Sequence, residues 1–263
     1  MNYLIDHFEQ IVKFSQQLAL PQDKKLGILR EYLQLKFIYH LYALKDSRQL
    51  SFVGGTSLRL LQDLPRFSED LDFDNLGLSR IKIQSLVRAV VSQFSKDNLE
   101  VEFKEVKKGA KNYYELRFIN LLKPLGLTTD PRQKLMIKID YANYWQGQTT
   151  EVKLVNKYGL MQRVITNQLN QLLCQKLTAY VQRRRTMLRD VYDCVWLFAQ
   201  GARLDKAFLK RNQLEKIPEL AQAKLAKEGI RANDLKRLKP FLFKEGEAQR
   251  VYLFEEVLTS LAE

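Results

Sequence analysis

The stretch FVGGTSLRLLQDLPRFSEDLDFD, residues 52–74, decides how this chain is read. It opens on an apolar strand end, turns at Gly54-Gly55 and continues as a helical pattern over Thr56, Ser57 and the residues that follow. It closes on SEDLDFD, where acidic and apolar residues alternate. Side chains two apart in a strand share a face, so Asp70, Asp72 and Asp74 are expected on one side and Leu71 and Phe73 on the core side. Carboxylates on one face repel each other unless water, a basic partner or a cation neutralises them. Mg²⁺ suits such a face, because it takes one or two carboxylates and completes its shell with water and phosphate oxygens. The glycine turn adds a second element. Glycine lets the backbone approach a ligand closely, and the helix N-terminus after it offers free N–H groups and a positive dipole end to phosphate. Thr56 or Ser57 can act as the cap or as a phosphate donor. Either feature alone is an ordinary turn or a solvated loop. Together they are the minimum equipment for phosphoryl or nucleotidyl transfer.

Working outward, the first 45 residues read as a helical lead-in of two helices broken at Pro21. SRIKIQSLVRAVVSQFS (79–95) is a further helix, while LEVEFKEV (99–106), NYYELRFINLL (112–122) and KLMIKIDYA (134–142) alternate as strands. A turn is expected at KKGAKN (107–112), and TTEVKLV (149–155) is a candidate for one more strand. In KLMIKIDYA, Leu135, Ile137 and Ile139 face one way and Lys138 and Asp140 the other. Beyond that the pattern is helical only: NQLNQLLCQKLTAYVQ, TMLRDVYDCVWLFAQ, LDKAFLKRNQLEK and EAQRVYLFEEVLTSLAE. The expected architecture is α+β: a domain with a mixed β-sheet over 1–165, then an all-helical domain over 166–263 closing a cleft.

Composition narrows the chemistry. No run of about 18 apolar residues is present for a membrane helix, and the N-terminus reads as an amphipathic helix and not as a signal peptide. An intracellular, cytoplasmic protein is expected. Of 263 residues only His7 and His40 are histidines and only Cys174 and Cys194 are cysteines, with no zinc-ligand spacing. Both cysteines sit in apolar helical patterns and are expected to be buried free thiols. His-based acid–base chemistry is excluded as the main route, leaving carboxylates, lysines and metal. The net charge of +13 points to a polyanionic partner. Basic residues gather at Lys104, Lys107, Lys108 and Lys111, at Arg183, Arg184 and Arg185, and at Lys236, Arg237 and Lys239. Tyr113, Tyr114, Tyr141, Tyr144 and Trp145 lie among them as candidates for base stacking or for the core.

The pattern of an apolar residue, two glycines and a following Asp-apolar-Asp resembles the polymerase-β-like nucleotidyltransferases. The fuller run GGTSLRLLQDLPRFSEDLDFD resembles the AbiEii branch, toxins of bacterial toxin–antitoxin and abortive-infection systems. The likeness extends over residues 50–200 and includes Lys176, a basic stretch and Arg189-Asp190-Val191-Tyr192-Asp193. It implies that Asp70 and Asp72 bind Mg²⁺ (Mn²⁺ as an alternative), with Asp140 as a third metal and catalytic carboxylate that activates the attacking hydroxyl. It implies nucleotide contacts from Gly54, Gly55, Thr56, Ser57, Arg66, Ser68, Lys138 and Lys176, with Lys176 gripping phosphates. Asp190 or Asp193 positions that lysine or the acceptor, and the choice between them stays open. Spacing alone also permits an exposed Arg189–Asp193 ion pair, four residues apart on one helix. Arg183, Arg184 and Arg185 are the expected RNA contacts. The implied reaction moves NMP from an NTP to an acceptor hydroxyl, releasing pyrophosphate. The implied partners are NTP, an RNA acceptor such as tRNA, and a cognate antitoxin. A protein-hydroxyl acceptor and an inactive, nucleotide-binding basic module remain as rivals.

Overall fold

The computed structural model describes residues 3–108 and 111–262. The turn expected at 107–112 falls partly on Gly109 and Ala110, outside the described residues, and so do the side chains of Lys108 and Lys111. Two compact units form. The first gathers Met1–Gln62, Phe67–Asn143 and Val152–Thr166, and the second gathers Asp63–Arg66, Tyr144–Glu151 and Asn167–Glu263. Sequence patterning draws one boundary after residue 165, whereas two short earlier segments cluster with the second unit.

The chain opens with helices α1 (Tyr3–Asp6), α2 (Phe8–Ser15) and α3 (Lys25–Tyr42). Strand β1 (Leu50–Val53), helix α4 (Gly54–Gln62), strand β2 (Leu71–Asn75) and helix α5 (Arg80–Lys96) follow. Then come β3 (Val101–Lys108), β4 (Lys111–Phe118), β5 (Leu135–Ala142), β6 (Thr150–Lys157) and β7 (Leu160–Asn167). The main sheet has the order β1-β2-β5-β4-β3, and β6 pairs with β7. Only β2 and β5 run parallel within the main sheet, so it is mixed. Alternation built it as expected. Leu71 and Phe73 on β2 and Leu135, Ile137 and Ile139 on β5 are buried, against a face covered by α3 and α5. Strand β7 was not foreseen, because LMQRVITN mixes charge and amide into its alternation.

Helix α3 is buried almost all round, which its mixed pattern does not announce. Its two inward polar residues are both matched: Glu31 takes Arg59 of α4 in a buried pair (Nε–Oε2 2.9 Å), and Gln34 Nε2 donates to the carbonyls of Ser68 and Glu69. Helix α5 starts where Ser79 accepts from the N–H of Lys82.

The second unit is helical: α6 (Leu169–Gln182), α7 (Leu188–Ala199), α8 (Lys206–Arg211), α9 (Ile217–Glu228), α10 (Ala232–Leu238) and α11 (Phe254–Ala262). Leu172, Leu173 and Leu177 of α6, Val191 and Tyr192 of α7, and Phe254 and Leu258 of α11 are buried. Cys174 and Cys194 are free and buried, and burial pushes the Cys174 thiol up to about 12. The helix expected over 204–216 is shorter, starting where the Asp205 side chain accepts from Phe208 N–H. The last expected helix divides into a 3₁₀ stretch, Glu245–Leu253, and α11.

Candidate active site

In the first unit the site is assembled at the β1–α4 turn and the two parallel strands. Gly54 has φ +77°, and a Cβ placed there would lie 2.2 Å from Asp72 Oδ2. The missing side chain therefore makes room for the Asp72 carboxylate against the start of α4. Thr56 Oγ1 donates to the Asp70 carbonyl at 2.5 Å. With Gln34 holding the carbonyls of Ser68 and Glu69 at 3.1 and 2.9 Å, the approach to β2 is fixed residue by residue. Ser57 Oγ lies 3.2 Å from Thr166 Oγ1, which donates to the Phe52 carbonyl at 2.7 Å. Both α4 hydroxyls are thus buried in fold contacts. They hold the turn, where the sequence suggested phosphate donors.

The strand register sets Asp72 beside Asp140 and Asp140 beside Tyr113. Lys138 is ion-paired to Asp140, and its ammonium stands 4.6 Å above the centre of the Tyr113 ring. Partial burial disfavours charge on Lys138, but Asp140, with Asp70 and Asp72 behind it, outweighs that and raises the ammonium above its usual range. The field of three carboxylates thus converges on one cation. Asp74 departs from expectation: it is only 3% exposed, paired in register with Ser51 and Ala142. It belongs to the strand's interior and not to an open acidic face.

Among the described residues, no three His, Cys, Asp or Glu side chains close around a point as a metal cage would. Mg²⁺ needs no such cage, since one or two carboxylates suffice when phosphates supply the rest. Asp70, Asp72 and Asp140 fit that open arrangement: hard oxygen donors, with Asp72 beside Asp140 in register and Asp140 already paired to an ammonium.

The second unit treats its acids differently. Arg66 grips Asp193 through two hydrogen bonds, Nε to Oδ1 at 2.7 Å and Nη2 to Oδ2 at 2.6 Å. Lys176 Nζ lies 2.8 Å from Asp193 Oδ2 and 3.7 Å from Asp190 Oδ1. Arg183 Nε closes the chain at 2.8 Å from Asp190 Oδ2. Asp193 is fully buried and Arg66 is 2% exposed. The guanidinium expected to reach a nucleotide is therefore committed inside the unit. The i,i+4 pair between Arg189 and Asp193 does not form, because α7 turns Asp193 inward and Arg189 lies over the Phe241 ring, 4.5 Å from its centre. Of the arginines expected on RNA, all three are exposed; Arg183 pairs with Asp190 at 2.8 Å and Arg185 reaches Asp234 at 3.4 Å.

Burial works against the charge on Asp193, yet Arg66 and Lys176 outweigh it and hold the carboxyl below its usual range. Burial likewise opposes charge on Lys176, and Asp193 and Asp190 more than offset it. Lys176 therefore stays an ammonium at neutral pH, a fixed charge and not a base. Its shorter contact is with Asp193 and its longer one with Asp190.

Sequence reading missed Gln34 and Thr166, whose bonds shape the turn. The one available signal was Gln34 as an amide inside the apolar run YLQLKF. Of the aromatics, Tyr114 is core, Trp145 packs on Phe208, and Tyr144 is exposed.

A family model described as nucleotidyl transferase AbiEii toxin, type IV TA system, matches residues 36–258. The match reaches from α3 into α11, well past the motif-bearing stretch. No curated protein matches the chain. Among solved structures, JHP933 from Helicobacter pylori is similar with a TM-score of 0.54 at 20% identity, over 90% of this chain and 94% of that one. A second Helicobacter pylori chain, assigned as a nucleotidyltransferase, gives 0.55 at 20% identity over 90% and 96%. At that identity the two structures speak for the fold.

Proposed function

The chain belongs to the AbiEii family of nucleotidyl transferase toxins of type IV toxin–antitoxin systems, and we propose that it moves NMP from an NTP to a hydroxyl of RNA, tRNA in the cytoplasm being the acceptor pool. The observation that carries this reading is Asp72 in register with Asp140 on parallel strands, Asp140 ion-paired to Lys138, beside a glycine turn that opens a helix and makes room for Asp72. Asp70 and Asp72 would hold Mg²⁺, or Mn²⁺ in its place. When bound, the ion neutralises triphosphate charge and polarises the α-phosphate. The acceptor oxygen attacks the α-phosphorus, the bond to the β-phosphate oxygen breaks, pyrophosphate leaves, and Asp140 takes the hydroxyl proton. Lys138 neutralises the acids while no nucleotide is present and is the cation a triphosphate would recruit. The first-turn N–H groups of α4, at Gly54 and Gly55, would receive phosphate as the donors of a helix N-terminus do, with Thr56 and Ser57 bracing the turn. Lys176, kept cationic by Asp193, offsets charge that develops on the leaving group. A cognate antitoxin is the partner that family membership brings.

The test is to incubate the protein with each labelled NTP and Mg²⁺ in the presence of total RNA or a protein extract. Label on small RNA is expected. Label found only on protein would replace the RNA acceptor with a Ser, Thr or Tyr hydroxyl, and no transfer from any NTP would leave a nucleotide-binding module.

A further inference from the structure

The loop 183–187 joins α6 to α7, and it is tied down at several points. Lys224 Nζ on α9 donates to the carbonyls of Tyr180 at 2.9 Å and Arg183 at 2.6 Å, satisfying acceptors that the end of α6 leaves open. The Thr186 hydroxyl bonds the Glu228 carboxylate. Arg183, half-exposed, pairs with Asp190. Arg184 and Arg185, exposed like Arg183, do not share its tie to Asp190.

Opposite them, the end of α9 and the start of α10 bring Lys227, Arg231 and Asn233, and together these line a concavity of about 430 Å³. The two acids in its wall are already engaged. Glu228 takes Thr186 and lies 3.9 Å from Lys224, and Asp234 is shared by Arg185 at 3.4 Å and Arg237 at 3.6 Å. Among the described residues no ion pair engages Arg184, Lys227 or Arg231. Cations gathered about one hollow, with the local acids spoken for, leave a positive potential that an anion would relieve.

We infer that this concavity docks the phosphate backbone of an RNA strand. The cations come from two separate elements facing one space, which suits successive phosphates. The lining offers no aromatic or large apolar anchor to read a base, so the contacts would position the strand without reading its sequence. The inference deepens the proposed function and rests on RNA being the acceptor. It replaces the whole arginine run with Arg184, Arg185, Lys227 and Arg231, and it assigns Arg183 to the Lys176 network.

The experiment is fluorescence anisotropy with a short labelled single-stranded RNA across a salt series. It compares wild type, R184E/K227E, and K104E/K107E, which reverses the same charge on β3. The double variant R184E/K227E should weaken binding at least tenfold and flatten the salt dependence by about 1.4 log units per decade, at about 0.7 per lost contact. In transfer assays it should raise KM for RNA while leaving KM for NTP in place. Equal losses in both double variants would make the effect diffuse charge and overturn the site. Displacement of RNA by pyrophosphate at matching concentration would reassign it to a small anion and also overturn the inference. Transfer to RNA that R184E/K227E leaves untouched sinks the inference and keeps the proposed function. RNA bound in the concavity with label only on protein does the reverse.

Discussion

Two groups of carboxylates in this protein face opposite problems. Asp70, Asp72 and Asp140 lie at the sheet, partly exposed, with Lys138 as their shared counter-charge. Asp193 and Asp190 lie within the helical unit, each gripped by an arginine and both within ion-pair reach of Lys176. In the proposed function the first group gives its charge to an outside ligand, whereas the second is already paired around a lysine. Removing an acid should therefore cost activity in one place and stability in the other.

The largest effect should come from Asp72→Asn. Transfer of label is expected to fall below detection, while the thermal midpoint without metal stays level or rises, because repulsion is lost and packing is not. A variant that labels RNA at the wild-type rate would erase the contrast. Asp193→Ala should do the opposite, leaving Arg66 and Lys176 buried without their carboxylate. Breaking a buried pair in this way costs about 3–5 kcal/mol, readable as a lower urea midpoint. A change under about 1 kcal/mol would mean that water reaches the network and that it is no firmer than a surface pair.

Lys176→Met separates the two roles within one network. Asp193 keeps both bonds from Arg66 and Asp190 keeps Arg183, so stability should fall less than in Asp193→Ala. Turnover should drop by about 10²-fold, the cost of one lost contact to developing charge. Unchanged activity per folded molecule would make Lys176 structural. The smallest effect is the pH dependence. The Asp193 carboxyl is depressed, so its contribution is present above the unfolded value of 3.8 and is lost as pH falls through the lower folded value. The raised Lys176 ammonium contributes fully below 10.5 and loses its part as pH rises through the higher folded value. Denaturant midpoints should show an acid limb below about pH 4 that Asp193→Ala lacks.

The sequence announced the sheet far better than it announced the ion network, and the residues show why. Leu71, Phe73, Leu135, Ile137 and Ile139 obey a period of two that local alternation displays, and all are buried. Lys138 and Asp140 share a face for the same reason. Arg66 follows a proline between a helix and a strand, where no period operates, and its partner is 127 residues away. Nothing local could pair them. The i,i+4 rule that offered Arg189 to Asp193 is a rule for solvated helix faces, and α7 has its Asp193 face turned to the interior. Asp74 misled for a related reason. Alternation gives the side of a sheet and not how deeply a neighbouring strand covers it.

The bond between Arg66 and Asp193 also carries a timetable. At translation speeds of about 5–20 residues per second, the guanidinium is made roughly 6–25 s before the carboxylate it will hold. Until then the segment Asp63–Arg66 has no helical unit to join, and Lys176 emerges before its holding acid as well. A ribosome-bound chain halted before Asp193 already carries Asp70, Asp72 and Asp140 but cannot set the lysine. A toxin built this way reaches its full charge arrangement only after Asp193 has been added, well behind the acids of its sheet.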